Sequence, residues 1–190
     1  MTAYDLPVSV EIGGKSYAIR YGWRAIIDIL AACSDPDLDE YSKAEVVLAI
    51  FYPEADSIPP EQMEEALQKA NDFIDHGYKQ EKTHQKKMMD WQQDAGIIIP
   101  AINQCAGCEI RLQPDIHWWT VLGWFMAIEK GVFSSVLYIR DKLAKGETLT
   151  KTEKEYYLAN RSMIDLINAD TPEEMGAKAD LLAWMEGDKY

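Results

Sequence analysis

His117-Trp118-Trp119-Thr120-Val121-Leu122-Gly123-Trp124-Phe125-Met126-Ala127-Ile128 is the stretch whose reading decides the fold. From Trp118 to Ile128, nine of the eleven residues are hydrophobic, with Thr120 and Gly123 the exceptions. A helix that is apolar all round has no side suited to water. It therefore either forms the centre of a core or keeps one face for a partner. At about 100° per residue, Trp118, Leu122 and Phe125 share one side, and Trp124 and Ile128 fall on another. We expect most of these rings to be buried within the monomer, with self-association into a homo-oligomer as the second reading. Because Trp is enriched where binding energy concentrates, His117, Trp118, Trp119, Trp124 and Phe125 are the candidate partner-binding residues.

Outward from this segment, the pattern is helical in both directions. Upstream, Ile97, Ile98, Ile99 and Ile102 form an apolar run interrupted by Pro100, which is expected to kink or break a helix. Pro114 is expected to open the helix that continues through Ile128. Downstream, Phe133 to Leu143 reads as a further helix. Thr150-Lys151-Thr152-Glu153 and Thr171-Pro172-Glu173-Glu174 are capping boxes, each opening a C-terminal helix.

Nearer the N-terminus, Trp23, Ile26, Ile27 and Leu30 recur at helical spacing until Asp35-Pro36-Asp37. Ser42-Lys43-Ala44-Glu45 reads as a capping box before a helix that Tyr52-Pro53 ends. Pro60 suits a first helical position ahead of Met63, Ala66, Leu67, Ala70, Phe73 and Ile74. His76-Gly77 closes that helix, with Gly77 expected in the left-handed conformation. Residues 78–90 are polar and read as an exposed loop running into the next helix. The one strand signal is a hairpin over 8–21: Val8, Val10 and Ile12 alternate, Gly13-Gly14 turn, and Tyr17, Ile19 and Tyr21 alternate. A lone hairpin is marginal in water, so it must pack on the helices.

The fold class is therefore mainly α, a multi-helix domain with a small N-terminal β-hairpin. We place the helical domain with its hairpin at 1–145 and a C-terminal helical extension packed on it at 146–190.

The 190 residues are 47% hydrophobic and include six Trp, the composition of a globular chain able to build a core. The net charge is −13, unevenly spread. Residues 1–75 hold 15 acidic and 5 basic side chains, whereas 76–190 hold 17 and 14. Such a surface repels phosphate backbones and anionic lipid heads, which argues against nucleic acid and membrane partners and for basic or helical proteins. The N-terminus lacks the charged and apolar regions of a signal peptide, and no apolar run is long enough to span a bilayer. Three Cys without a secretion signal fit a reducing cytoplasm.

Motifs for chemistry are weak. Cys105-Ala106-Gly107-Cys108 is a CxxC, but structural zinc needs four ligands, and Cys33, His76, His84 and His117 show no paired spacing. A redox CxxC needs a helix N-terminus and a βαβ context, neither of which the pattern offers. His117 lies near Asp94, Asp115 or Glu109 only as a possible general base, without an accompanying nucleophile or phosphate loop. A packing role, its N–H capping a local backbone group, is the preferred reading. Lys79, Lys82, Lys86 and Lys87 are interspersed with Glu81 and Asp90 and read as a solvated face. The expectation is a protein that is not an enzyme and holds no cofactor or metal.

The order of several short motifs resembles a known family. Asp94, Ile98, Ala101, Gln104, Gly107 and Ile110 precede Ile116-His117-Trp118-Trp119. This is similar to the pattern D-x-x-x-I-x-x-A-x-x-Q-x-x-G-x-x-L followed by L-H-W-W in the gene-product-fifteen family of phages and prophages of Gram-positive bacteria. Val10-Glu11-Ile12-Gly13-Gly14-Lys15-Ser16-Tyr17-Ala18-Ile19, then Trp23-Arg24, resembles its N-terminal V-E-I-D-G-K-x-Y-x-I and F-R. Phe51-Tyr52-Pro53, Phe73 with Gly77, and Ile139-Arg140 resemble its F-Y-P, F-x-x-x-G and I-R. The likeness covers about 8–145. Pro100 stands where the family usually has Ala, Ala106 stands where it has Tyr, and Cys105 and Cys108 stand at positions that are not Cys there.

The resemblance implies a component of the tail-morphogenesis module of long-tailed phages, acting in the cytoplasm of the bacterial host. The leading expectation is a tail assembly chaperone that binds and shields tape-measure helices and recruits tail-tube protein. The alternative is a minor structural tail or connector protein retained in the virion.

Overall fold

The structure is a computed structural model and describes residues 4–76 and 87–167. Its elements are two strands, β1 (Ser9–Ile12) and β2 (Lys15–Ala18), and eight α-helices among the described residues. These are α1 (Trp23–Ser34), α2 (Glu40–Phe51), α3 (Met63–Ile74), α4 (Ala95–Ala106), α5 (Trp118–Met126), α6 (Val132–Ala144), α7 (Lys151–Ala159) and α8 (Arg161–Ile164). The mainly α class with a small N-terminal hairpin is the architecture found. The chain divides into two compact groups, residues 1–83 with 99–128 and residues 84–98 with 129–190, the boundary falling inside α4.

In the first group, β1 and β2 pair antiparallel, with Val10 opposite Tyr17 and Ile12 opposite Lys15. Gly13 (φ 55°) and Gly14 (φ 79°) make the turn, a backbone form that glycine alone adopts without strain. The Gly13 amide donates to Glu65 on α3 at 3.1 Å, and a Cβ on Gly13 would run into the Gln62 side chain. The hairpin is thus fastened to α3, which answers the instability of an isolated hairpin. Ile12, Tyr17, Ile26, Phe51, Ala66, Ala70, Phe73 and Trp118 are buried in the core of this group.

Several helix boundaries differ from the sequence reading. Asp39, not Ser42, caps α2: its carboxylate accepts from the Ser42 amide at 2.7 Å. The helix begins at Glu40, three residues earlier than a cap at Ser42 would place it. Pro60 opens a short 3₁₀ turn, Pro60–Gln62, ahead of α3. His76 takes the left-handed conformation (φ 55°), and Gly77 lies outside the described residues. The polar loop is described only over 87–90, and the capping box at Thr171 also falls outside.

Pro100 does not break α4, which runs unbroken through it. Proline removes one backbone hydrogen bond, and burial of Ile98 and Ile102 on either side of it holds the helix together. Pro114 does not open α5. Residues 116–118 are drawn out against Tyr21-Gly22-Trp23: the Trp23 amide donates to the Ile116 carbonyl at 3.0 Å and the Trp118 amide to the Tyr21 carbonyl at 2.8 Å. That bridge forces extended backbone up to His117, so α5 begins only at Trp118 and ends at Met126.

In the second group, Val136, Ile139, Leu149, Tyr157 and Ile164 form a buried cluster, with Ile97 and Leu143 against it. Thr150 caps α7 in the full reciprocal box with Glu153. Residues of α6, α7 and α8 thus share one buried cluster.

Candidate partner-binding site

The five candidate residues meet two different fates. His117 is 7% exposed and sits between Tyr21, stacked at 5.3 Å between ring centroids, and Phe73, met edge-on at 5.5 Å. Its Nδ1 accepts from the Trp119 amide at 3.1 Å, capping α5. Its Nε2 lies 2.9 Å from the Pro7 carbonyl. One nitrogen must accept and the other must donate, so the ring is neutral with its proton on Nε2. Burial lowers its pKa from the ordinary value, only partly offset by the hydrogen bond to Pro7. The expected cap is present, but it is the bare nitrogen that caps the helix, while the N–H reaches a residue 110 positions away. With both nitrogens engaged, His117 has no proton site to offer a substrate.

Trp118 is 2% exposed, and its indole N–H donates to the Ile74 carbonyl at 2.8 Å. Half-buried Trp119 does the same to the Phe73 carbonyl at 2.8 Å and stacks on the Phe73 ring. These are end carbonyls of α3, and that of Phe73 also accepts the His76 amide at 3.1 Å. The tandem Trp pair thus terminates α3 from α5. Neither the motif nor its periodicity contains this role, because the acceptors lie more than 40 residues away.

Trp124 and Phe125 are half-buried, and Met126 beyond them is 64% exposed. The structure thus separates the candidates: His117, Trp118 and Trp119 at the start of α5 hold the first group together, while Trp124 and Phe125 lie at its end, next to exposed side chain.

Charge on this group is handled unequally. The Arg20 guanidinium donates to the carbonyls of Ala49 and Ile50, and that of Arg24 to Arg111 and Gln113. Lys43 is bound to Glu40. Arg20 and Arg24 are exposed and keep their charge, and Glu45, Glu54, Glu61, Glu64 and Asp72 are exposed as well. The surface of residues 1–75 is acidic because 15 acids outnumber 5 bases.

Cys33 and Cys105 are exposed and Cys108 is half-buried, all as free thiols. Cys105 lies in the last turn of α4 and Cys108 just beyond it, not at the helix N-terminus that a redox CxxC uses. Among the described residues, no group of three or more His, Cys, Asp or Glu side chains gathers to hold a metal, and no helix is long and apolar enough to cross a membrane.

No curated protein and no solved structure matches this chain. The family described as Bacteriophage Gp15 protein matches residues 3–166, taking in both strands and all eight described helices. The chain therefore belongs to the bacteriophage Gp15 protein family.

Proposed function

We propose that this phage protein is a tail assembly chaperone, which binds and shields helices of the tape-measure protein and recruits tail-tube protein in the cytoplasm of the bacterial host. The observation that carries this reading is the acidic surface of the first group. Residues 1–75 hold 15 acids against 5 bases, and Glu45, Glu54, Glu61, Glu64 and Asp72 are exposed. A surface of one sign steers an oppositely charged client and resists self-precipitation. Trp124, Phe125 and Met126 at the end of α5, in the same group, supply apolar area, and an amphipathic basic helix carries both apolar and basic faces to match. The chemistry is binding, not turnover.

Coexpression with a tape-measure fragment tests the reading. The fragment is expected to become soluble and to co-elute with the protein in gel filtration, and Trp124→Ala with Phe125→Ala is expected to weaken the complex. Unchanged solubility and no complex would sink it. Mass spectrometry of purified particles is a second arm: a chaperone is absent from virions, whereas a minor tail or connector protein is present.

A further inference from the structure

Helix α6 turns a partly apolar face outward. Val132 and Tyr138 are each 52% exposed, and exposed Ser135 lies midway between them. Three residues apart, these side chains fall within about 120° of one another. Between α6 and α7, beside Tyr138, lies an open groove of about 440 Å³, lined by Ile139, Tyr156, Ser134 and Thr152 as well. We propose that this face and groove bind a second copy of the chain, the two α6 helices lying antiparallel about a two-fold axis at Ser135. The inference is independent of the chaperone reading.

Charge favours that occupant. Exposed Glu129 stands beside exposed Lys130 at the groove, and Glu153 is held by Lys142 at 2.8 Å. A surface so balanced has no excess of either sign to draw an acidic or a basic protein. Residues 87–98 and 129–167 together hold eight acids and eight bases, although the whole chain carries −13. Contact through this group therefore sets no excess of like charge against itself.

The order of side chains along α6 also matches itself end for end. Antiparallel pairing about Ser135 sets Val132 of one copy opposite Tyr138 of the other. Lys142 follows Ser135 by seven residues and shares its direction to within about 20°, whereas Asp141 is turned about 120° away. Glu129, just before α6, thus comes beside Lys142 of the other copy. In a two-fold contact each such match is made twice. Ser134 and Ser135 at the centre are small enough for the helices to approach closely. The patch is short, α6 having 13 residues, so the expected dimer is weak, with a Kd on the order of 10–100 μM.

Sedimentation of the full-length protein across that concentration range tests this. A monomer–dimer equilibrium is expected. Ser135→Glu sets a carboxylate against its own copy and is expected to raise Kd about tenfold or more, whereas Ser135→Ala leaves it unchanged. A residue on a two-fold axis also meets itself. Helix axes about 8–10 Å apart bring facing Cα atoms to roughly 4–6 Å, within the span of a disulfide. With Cys33, Cys105 and Cys108 changed to Ser, Ser135→Cys is therefore expected to give a disulfide between two chains when oxidised glutathione is the oxidant, and Thr148→Cys to give none. A monomer at every concentration overturns the proposal and leaves the groove to residues 168–190 or to a different protein. A dimer indifferent to Ser135→Glu, or no disulfide through Ser135→Cys, overturns it as well.

Discussion

Asp94 and Arg140, 46 residues apart in the chain, meet as a two-pronged ion pair at 2.7 and 2.8 Å, with side chains 2% and 5% exposed. Arg140 also donates through Nε to Ile164, through Nη1 to Met88 and through Nη2 to Met163, so all five of its N–H groups are engaged. Asp94 in turn accepts from the Asp90 amide. A buried pair is tolerated when every lone pair and proton is matched in this way. The arrangement ties the segment before α4, helix α6 and the end of α8 to one guanidinium.

Removing one partner leaves the other charged and buried. Arg140→Met or Asp94→Leu alone is expected to destabilise by about 3–5 kcal/mol, while the double variant recovers much of that loss. Urea unfolding of the four proteins measures it. Losses that simply add would show that the pair is not coupled.

Neutral His117 makes stability depend on pH in a defined direction. Its folded pKa lies below the ordinary value of 6.5, so below about pH 6.5 the unfolded chain takes a proton that the folded chain refuses. The contribution is complete above that pH, declines as pH falls, and levels off below the lowered folded value. The stability gap between wild type and His117→Gln should accordingly narrow from pH 8 to pH 5. A constant gap would mean that the ring is not held neutral.

Trp118→Phe keeps an aromatic ring but shrinks it and removes the N–H that serves the buried Ile74 carbonyl. A loss of about 1–3 kcal/mol is expected, with a smaller one for Trp119→Phe, whose indole is half-buried. Thermal unfolding of the two variants should rank them in that order.

Gly22 has ordinary backbone (φ −69°), yet a Cβ there would collide with the Asp115 carboxylate. Asp115 is exposed and can turn its carboxylate aside, so Gly22→Ala is expected to cost only about 0.5–1 kcal/mol. Asp115→Ala in the same chain should restore most of it, since the obstacle is a side chain and not the backbone angle. Failure of that rescue in urea unfolding would place the constraint elsewhere.

Much of the fold was legible. Gly13-Gly14 announces its turn because few sequences tolerate two successive positive φ angles. Thr150 and Glu153 declare the start of α7 because both halves of the cap lie within one turn. Pro114 misled, because the force that delays α5 to Trp118 comes from Tyr21 and Trp23, far away in sequence. The candidate site was legible only as a composition. Periodicity could place Trp118 and Trp124 on different sides, but it held no information on which ring a carbonyl of α3 would receive.

The sequence alone determined the class of this protein: a hairpin and a series of helices, acidic at the N-terminal end, with one segment too apolar to face water. Those properties depend on neighbours within a turn or on summed charge, and local order suffices to read them. Only tertiary structure decided that Trp118 and Trp119 close α3, that His117 is neutral, and that Asp94 belongs to Arg140. Each of these depends on a donor and an acceptor brought together from distant parts of the chain, and which pairs meet is settled by packing, not by spacing.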